Sequence, residues 1–251
     1  MTILRKIALG IAFAVPTASF IARLDLRGIE LHHLEQTLAP GMDAFGRNCL
    51  LLTLAAISNS LTSILPVLVF TLAVSLVISF GVSGTNATAR FALRAVLDLL
   101  SALPGLLLAL SLGVVFPESN FTPYLATVLM VIPSTIRYFE SILLKVRSED
   151  FILAADSMGA PPGHIWAYHL LPALRDSVLA VLPFVVLRLI LIETSISFLG
   201  LTPAPEHETW GRLLAQGKDY FLEAPWILVI SALPLCLLLA SFHLLSHEDQ
   251  N

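Results

Sequence analysis

Three observations predict an all-α, polytopic membrane protein. Hydrophobic residues make up 57% of the 251 and charged residues only 13%, and the mean hydropathy is +0.86, far above the apolar share of a soluble domain. Apolar runs of roughly 17 to 24 residues recur along the chain, matching the ~20 that a helix needs to cross ~30 Å of hydrocarbon. No polar stretch is long enough for a second, soluble domain, so residues 1–251 are expected to form a single transmembrane domain.

About six spans are expected: Ile7–Ala22, Leu61–Val82, Leu99–Phe116, Phe121–Tyr138, Ser177–Leu201 and Ala224–Leu245. The first has two readings, because "MTILRK" before a short apolar run also resembles a signal peptide. An uncleaved anchor is preferred, since "AVPTASFIA" is a poor small-residue cleavage site. Basic residues are retained on the cytoplasmic side of a membrane. With the N-terminus inside, Arg5, Lys6, Arg90, Arg94, Arg137, Lys145, Arg147 and Arg175 are cytoplasmic, against Arg23, Arg27, Arg47, Arg212 and Lys218 outside. That asymmetry places both termini in the cytoplasm. The net charge of −4 offers no basic patch for nucleic acid.

The connections follow in order. Between the first two spans, "APGMDAFGRN" carries Pro40, Gly41, Asp43 and Gly46, which punctuate a turn on the outer side. After the second span, "GVSGTNATAR" is a loop leading into a helix start, where Arg90, Arg94 and Asp98 recur every four residues and share a face. A solvated interfacial face is the plainer reading of that pattern. "PESN", residues 117–120, is a tight outer turn. Cys49 near the outer surface and Cys236 in the last span are too far apart for a disulfide framework, and no C-x-x-C or H-E-x-x-H metal pair occurs. The adjacent His32 and His33 point apart on a helix and make a poor metal site. No metal and no cofactor is expected.

The informative stretch is "EDFILAADSMGAPPGHIWAYHLLP", Glu149 to Pro172, which is too polar and too broken to span. At 100° per residue, Phe151, Ala154, Ala155 and Met158 cluster on one face of a short helix. Glu149, Asp150, Asp156 and Ser157 lie opposite, with Leu153 in their midst. Gly159 is placed to end this helix in a left-handed conformation, and "APPG" prevents its continuation. A second short helix is expected from about His164 to Leu171. The first helix could rest on lipid headgroups. Its acidic residues and lack of any basic one argue instead for a knob that docks on a cytoplasmic protein.

Read together, "AADSMGAPPGHIWAYHLLP", "GMDAFGRN", "DLLSALPGLLLAL" and "ETSISFLGL" followed by "TWG" resemble, in order, four segments of one family. It comprises the permease subunits of ATP-binding-cassette importers for dipeptides, oligopeptides and nickel. The resemblance runs from about residue 41 to 251. It implies a type I importer fold in which Glu149–Pro172 is the coupling loop, with Phe151, Leu153, Ala154, Ala155, Met158, Gly159, His169 and Pro172 at the ATPase contact. It further implies a second homologous permease, two cytoplasmic ATP-binding subunits and an extracytoplasmic solute-binding protein as partners, in a bacterial inner membrane. Leu153 stands where the family usually has Glu and Asp156 where it often has Arg. Met42 and Asn48 replace Thr and Asp.

Arg188 lies about eleven residues into the fifth span, ~16 Å at 1.5 Å per residue and hence near the midplane. A charge there faces a cavity or an acid. Two readings stay open: a structural Arg held on backbone carbonyls, or one lining a path for an anionic or zwitterionic solute. Glu193, about 140° round the helix, is a poor partner for Arg188 and needs another donor. Ser195 adds a hydroxyl to the same stretch, so Arg188, Glu193 and Ser195 are the candidate path residues. The nearest approach to a phosphate-binding loop, "GRLLAQGKD", has one residue too many and Asp219 in place of the hydroxyl. The chain is therefore expected to be a non-catalytic subunit that transports without hydrolysing ATP. A stand-alone secondary transporter is the alternative, and it calls for intramembrane carboxylates in paired halves. A membrane enzyme lacks any nucleophile–base or metal constellation.

Overall fold

The computed structural model describes residues 41–43, 45–83, 86–116, 119, 121–165, 168, 170–202 and 208–248, with only the backbone at some helical positions, Leu153 and Asp156 among them. Among these residues the fold is helical, apart from an isolated bridge between Met42 and Asn48. The expected span Ile7–Ala22, with its question of anchor or signal peptide, lies outside the described residues.

The first helix, α1, is Cys49–Ser83 and has 35 residues. Asn48 starts it: its Oδ1 accepts from the N–H groups of Leu50 (3.0 Å) and Leu51 (3.2 Å), as an N-cap does. Hydropathy places this span at Leu61–Val82, twelve residues late, because Ser58, Asn59 and Ser60 dilute the apolar signal. In the bundle those side chains are turned inward, with Ser58 and Ser60 buried. Asn59 Nδ2 donates to the Glu208 carbonyl at 2.9 Å. Thr71, Ser75 and Ser79 form a fully buried stripe at four-residue spacing. Such small side chains let helices approach closely, and Ser79 Oγ donates to the Ile136 carbonyl across the contact at 3.1 Å.

Leu99–Phe116 is not one straight span. Helix α2, Ala87–Ala102, and helix α3, Gly105–Val115, meet at 83°. Pro104 is the cause: it holds the preceding Leu103 extended, at φ −73° and ψ 126°, which is the conformation that a residue before proline prefers. Nor is the face of α2 simply solvated. Arg94 Nη2 meets Glu140 Oε1 at 2.8 Å and Asp98 Oδ1 meets Arg137 Nη2 at 3.0 Å, so two ion pairs clip α2 to helix α4, Thr122–Arg147. Charges that read as solvated in one helix are paired by the next. Helix α4 itself runs nine residues past the expected end at Tyr138.

Helix α5, Asp150–Ser157, and the single turn α6, Pro162–Ile165, form the insertion that follows α4. Of the expected second short helix, His164–Leu171, the described residues His164, Ile165, Tyr168, Leu170 and Leu171 are helical. Helix α7, Leu171–Phe198, begins with Pro172 in its first turn, where a missing N–H costs nothing. It ends at Gly200, φ 72°, with Leu201 N–H on the Ile196 carbonyl at 3.1 Å. Helix α8, Trp210–Asp219, wedges between α7 and helix α9, Pro225–Glu248. "GRLLAQGKD" is therefore helix rather than a phosphate-cradling loop.

The main core gathers Ile57, Val67, Val131, Phe139, Leu189, Trp210 and Leu238 where α1, α4, α7, α8 and α9 meet. Among the described residues, three helices are long and apolar enough to cross a membrane: Cys49–Val82, Thr122–Arg147 and Ser177–Phe198. The bent pair α2–α3 makes a fourth if it counts as one broken span, and Pro225–Ser241 is a shorter apolar helix.

Candidate functional site

The insertion after α4 holds α5 against the bundle on one side and presents it on the other. Ile152 and Ala155, three residues apart, pack with Leu143, Ile165 and Leu170. Gly159 takes φ 77°, as its place after the helix requires, and the Ala160 N–H returns to the Ala155 carbonyl at 3.1 Å, the 6→1 closure of a Schellman motif. Phe151, Ala154 and Met158 are left outward, Met158 with 81% exposure. Ala155, expected on that outward face, is not there. It faces the chain's own core at 5% exposure rather than sharing the outward face, because the neighbouring Ile152 supplies the larger apolar surface and rotates the helix to bury both. The Leu153 side chain and the whole of His169 lie outside the described residues. Pro172 is exposed at the start of α7.

Within the membrane, Arg188 lines a cavity of ≈ 330 Å³ bounded by the α2–α3 break, α4 and α7. Its Nη1 donates to Ser134 Oγ on α4. The remaining wall is apolar apart from Ser101, and includes Leu103, Met130 and Ile192. Glu193 and Ser195 are not brought to this cavity. Glu193 looks towards α1, where Ser60 Oγ donates to its Oε1 at 3.4 Å, which is the separate donor that its angle from Arg188 calls for. Ser60 Oγ in turn accepts the Trp210 N–H at 3.1 Å. Ser195 Oγ donates to the Leu191 carbonyl of its own helix at 2.7 Å.

Asp43 organises the "GMDAFGRN" turn. Its Oδ1 accepts from the N–H groups of Phe45 (2.9 Å) and Arg47 (2.7 Å), and its Oδ2 pairs with Arg47 Nε at 2.7 Å. Gly41 and Gly46 both take positive φ. The Trp226 indole N–H donates to the Met42 carbonyl at 2.9 Å, and Arg47 reaches Glu208 at 3.4 Å, so the turn is fastened to α9 and to the approach to α8. Sequence reasoning missed Ser60, Ser134 and Glu140 as partners. None of the three carries a local signal of what lies opposite.

Residues 75–247 match the family described as binding-protein-dependent transport system inner membrane component. A Brucella suis protein named as a candidate peptide transport system permease is 31% identical over 189 residues, covering 75% of this chain and 64% of the relative. The glutathione transport system permease protein of Escherichia coli is 30% identical over 156 residues, or 62% of this chain and 51% of the relative. The chain thus spans less than two thirds of the length of these relatives.

Proposed function

Because this chain belongs to the family of binding-protein-dependent transport system inner membrane components, we propose that it is the transmembrane permease subunit of an ATP-driven importer for peptides or a related small solute. It works as one membrane unit with a second, related permease, two cytoplasmic ATP-binding subunits and an extracytoplasmic solute-binding protein. Hydrolysis belongs to the ATP-binding subunits. The names of the peptide and glutathione relatives support the solute class.

The observation that carries the reading is the two-sided α5. A helix anchored through Ile152 and Ala155 and stopped by Gly159 moves with the bundle as a rigid lever. Its outward Phe151, Ala154 and Met158 offer a shallow apolar face to a groove on an ATP-binding subunit. Closure of the ATP-binding subunits then shifts α5, and the shift reaches α4 and α7 through Leu143 and Leu170, favouring one access state over the other. Leu153 and His169 belong to the same proposed contact on the strength of the sequence resemblance.

Co-purification of the ATP-binding subunits with the tagged chain tests this, and separates it from a stand-alone secondary transporter, which needs none. Ala154→Trp should reduce recovery and solute-stimulated hydrolysis by roughly fivefold or more, since a bulky group at a close contact costs on the order of 1–3 kcal/mol. Gly159→Val, strained by roughly 1–2 kcal/mol at positive φ, should do the same with normal membrane insertion. Undiminished recovery and hydrolysis in both variants would remove α5 from the ATPase contact.

A further inference from the structure

We propose that the cavity at the α2–α3 break is a carboxylate subsite on the solute's path, anchored by Arg188. The inference rests on the permease reading above and narrows its solute class. Arg188 stands eleven residues beyond Ser177 and ten before Phe198 in its span, about 15 Å of helix from either end and beyond reach of lipid phosphates. A guanidinium at that depth calls for a counter-charge. Among the described residues its polar contact is the neutral Ser134 hydroxyl, which takes one of five donors. The charge is left for something that enters.

The cavity's shape says what that is. Helix α3 starts at its wall, at Gly105, and Pro104 gives no side-chain cap. The first N–H groups of α3 therefore lack intrahelical acceptors and put the positive end of a helix dipole beside the guanidinium. Helices broken within the membrane use this arrangement towards anionic solute groups. No Asp or Glu is among the cavity's lining residues, so a free divalent cation or a basic side chain would meet a like charge. The other walls, Leu103 and Met130 among them, are apolar, and ≈ 330 Å³ accommodates one residue rather than a long peptide. The ligand class is a carboxylate on a small apolar group, such as the C-terminal residue of a short peptide.

The test uses the complex purified in detergent with its partner permease and ATP-binding subunits but without binding protein, so that the binding protein's own pocket does not report. The dipeptide Ala-Leu and its C-terminal amide are titrated while the thermal midpoint is followed. Ala-Leu should raise the midpoint, the amide should need at least about tenfold more for the same shift, since a charged hydrogen-bonding partner is lost, and Arg188→Gln should abolish the difference while Arg188→Lys keeps part of it. Equal protection by acid and amide, protection by neither, or full discrimination in Arg188→Gln overturns the proposal. If Arg188→Gln sheds the second permease, Arg188 instead pairs with an acid of that subunit, and the proposal is overturned. If Arg188→Gln is not recovered, the wild-type comparison still decides, and Ser134→Ala must alter the acid-to-amide ratio. ATP-binding subunits that co-purify without carboxylate discrimination sink this inference alone, whereas their absence sinks the permease reading beneath it.

Discussion

Arg94 and Glu140 are joined across the α2–α4 contact by Nη2–Oε1 and Nε–Oε1 hydrogen bonds of 2.8 and 3.2 Å, with Glu140 only 3% exposed and Arg94 open to its surroundings. One partner is thus far more dependent on the pair than the other. Removing the arginine strands a buried carboxylate, whereas removing the carboxylate's charge strands nothing. Arg94→Ala should therefore lower the thermal midpoint more than Glu140→Gln, and the double variant should recover part of the Arg94→Ala loss. Strictly additive losses in that cycle would show that the pair does not hold α2 in place.

Two glycines of α8 make its wedge possible. A Cβ on Gly211 would run into the Thr194 carbonyl and lie 2.6 Å from the Phe198 nitrogen, and one on Gly217 would lie 2.7 Å from Leu228 Cα. Backbone cannot yield as a side-chain tip can. Gly211→Ala and Gly217→Ala should each cost about 1–3 kcal/mol by overpacking. Gly81→Ala on α1, where a Cβ meets nothing within 4 Å, should be neutral or stabilise by up to about 1 kcal/mol through helix propensity. Thermal unfolding in detergent ranks the three, and equal midpoints would refute the close approach of α8 to α7 and α9.

Orientation is tested at two exposed positions on opposite sides of the bundle. Met158 follows α5 with 81% exposure and Leu222 lies in the turn before α9 with 95%. On a background with Cys49 and Cys236 replaced, Leu222→Cys should react with an impermeant maleimide from the periplasmic side. Met158→Cys should react only after the inner membrane is breached. Labelling of Met158→Cys first would reverse the sidedness drawn from the basic residues.

Much of the architecture was legible because its causes are local. Runs of apolar residues mark α1, α4, α7 and α9, since lipid demands them over ~20 residues. Gly159 marks a helix stop through its own backbone restriction, and the structure has it where expected. Arg188 was legible as a misplaced charge in an apolar run, and the separate donor for Glu193 follows from helical geometry alone. Pro104 was in plain view too. Its effect was misjudged because hydropathy averages across a bend without registering it.

What only the tertiary structure decided is which side chain meets which across helices. Ser134 and Arg188 are 54 positions apart, and no periodicity in either helix says which face of α4 turns towards α7. Ala155 and Ala154 are chemically alike, yet one is buried and the other exposed because the bundle chose Ile152 as the larger apolar partner. Hydropathy and backbone restriction belong to single residues and short windows, so they can be read along the chain. Pairing depends on rotation and depth between helices, which are set by the packing of many side chains at once.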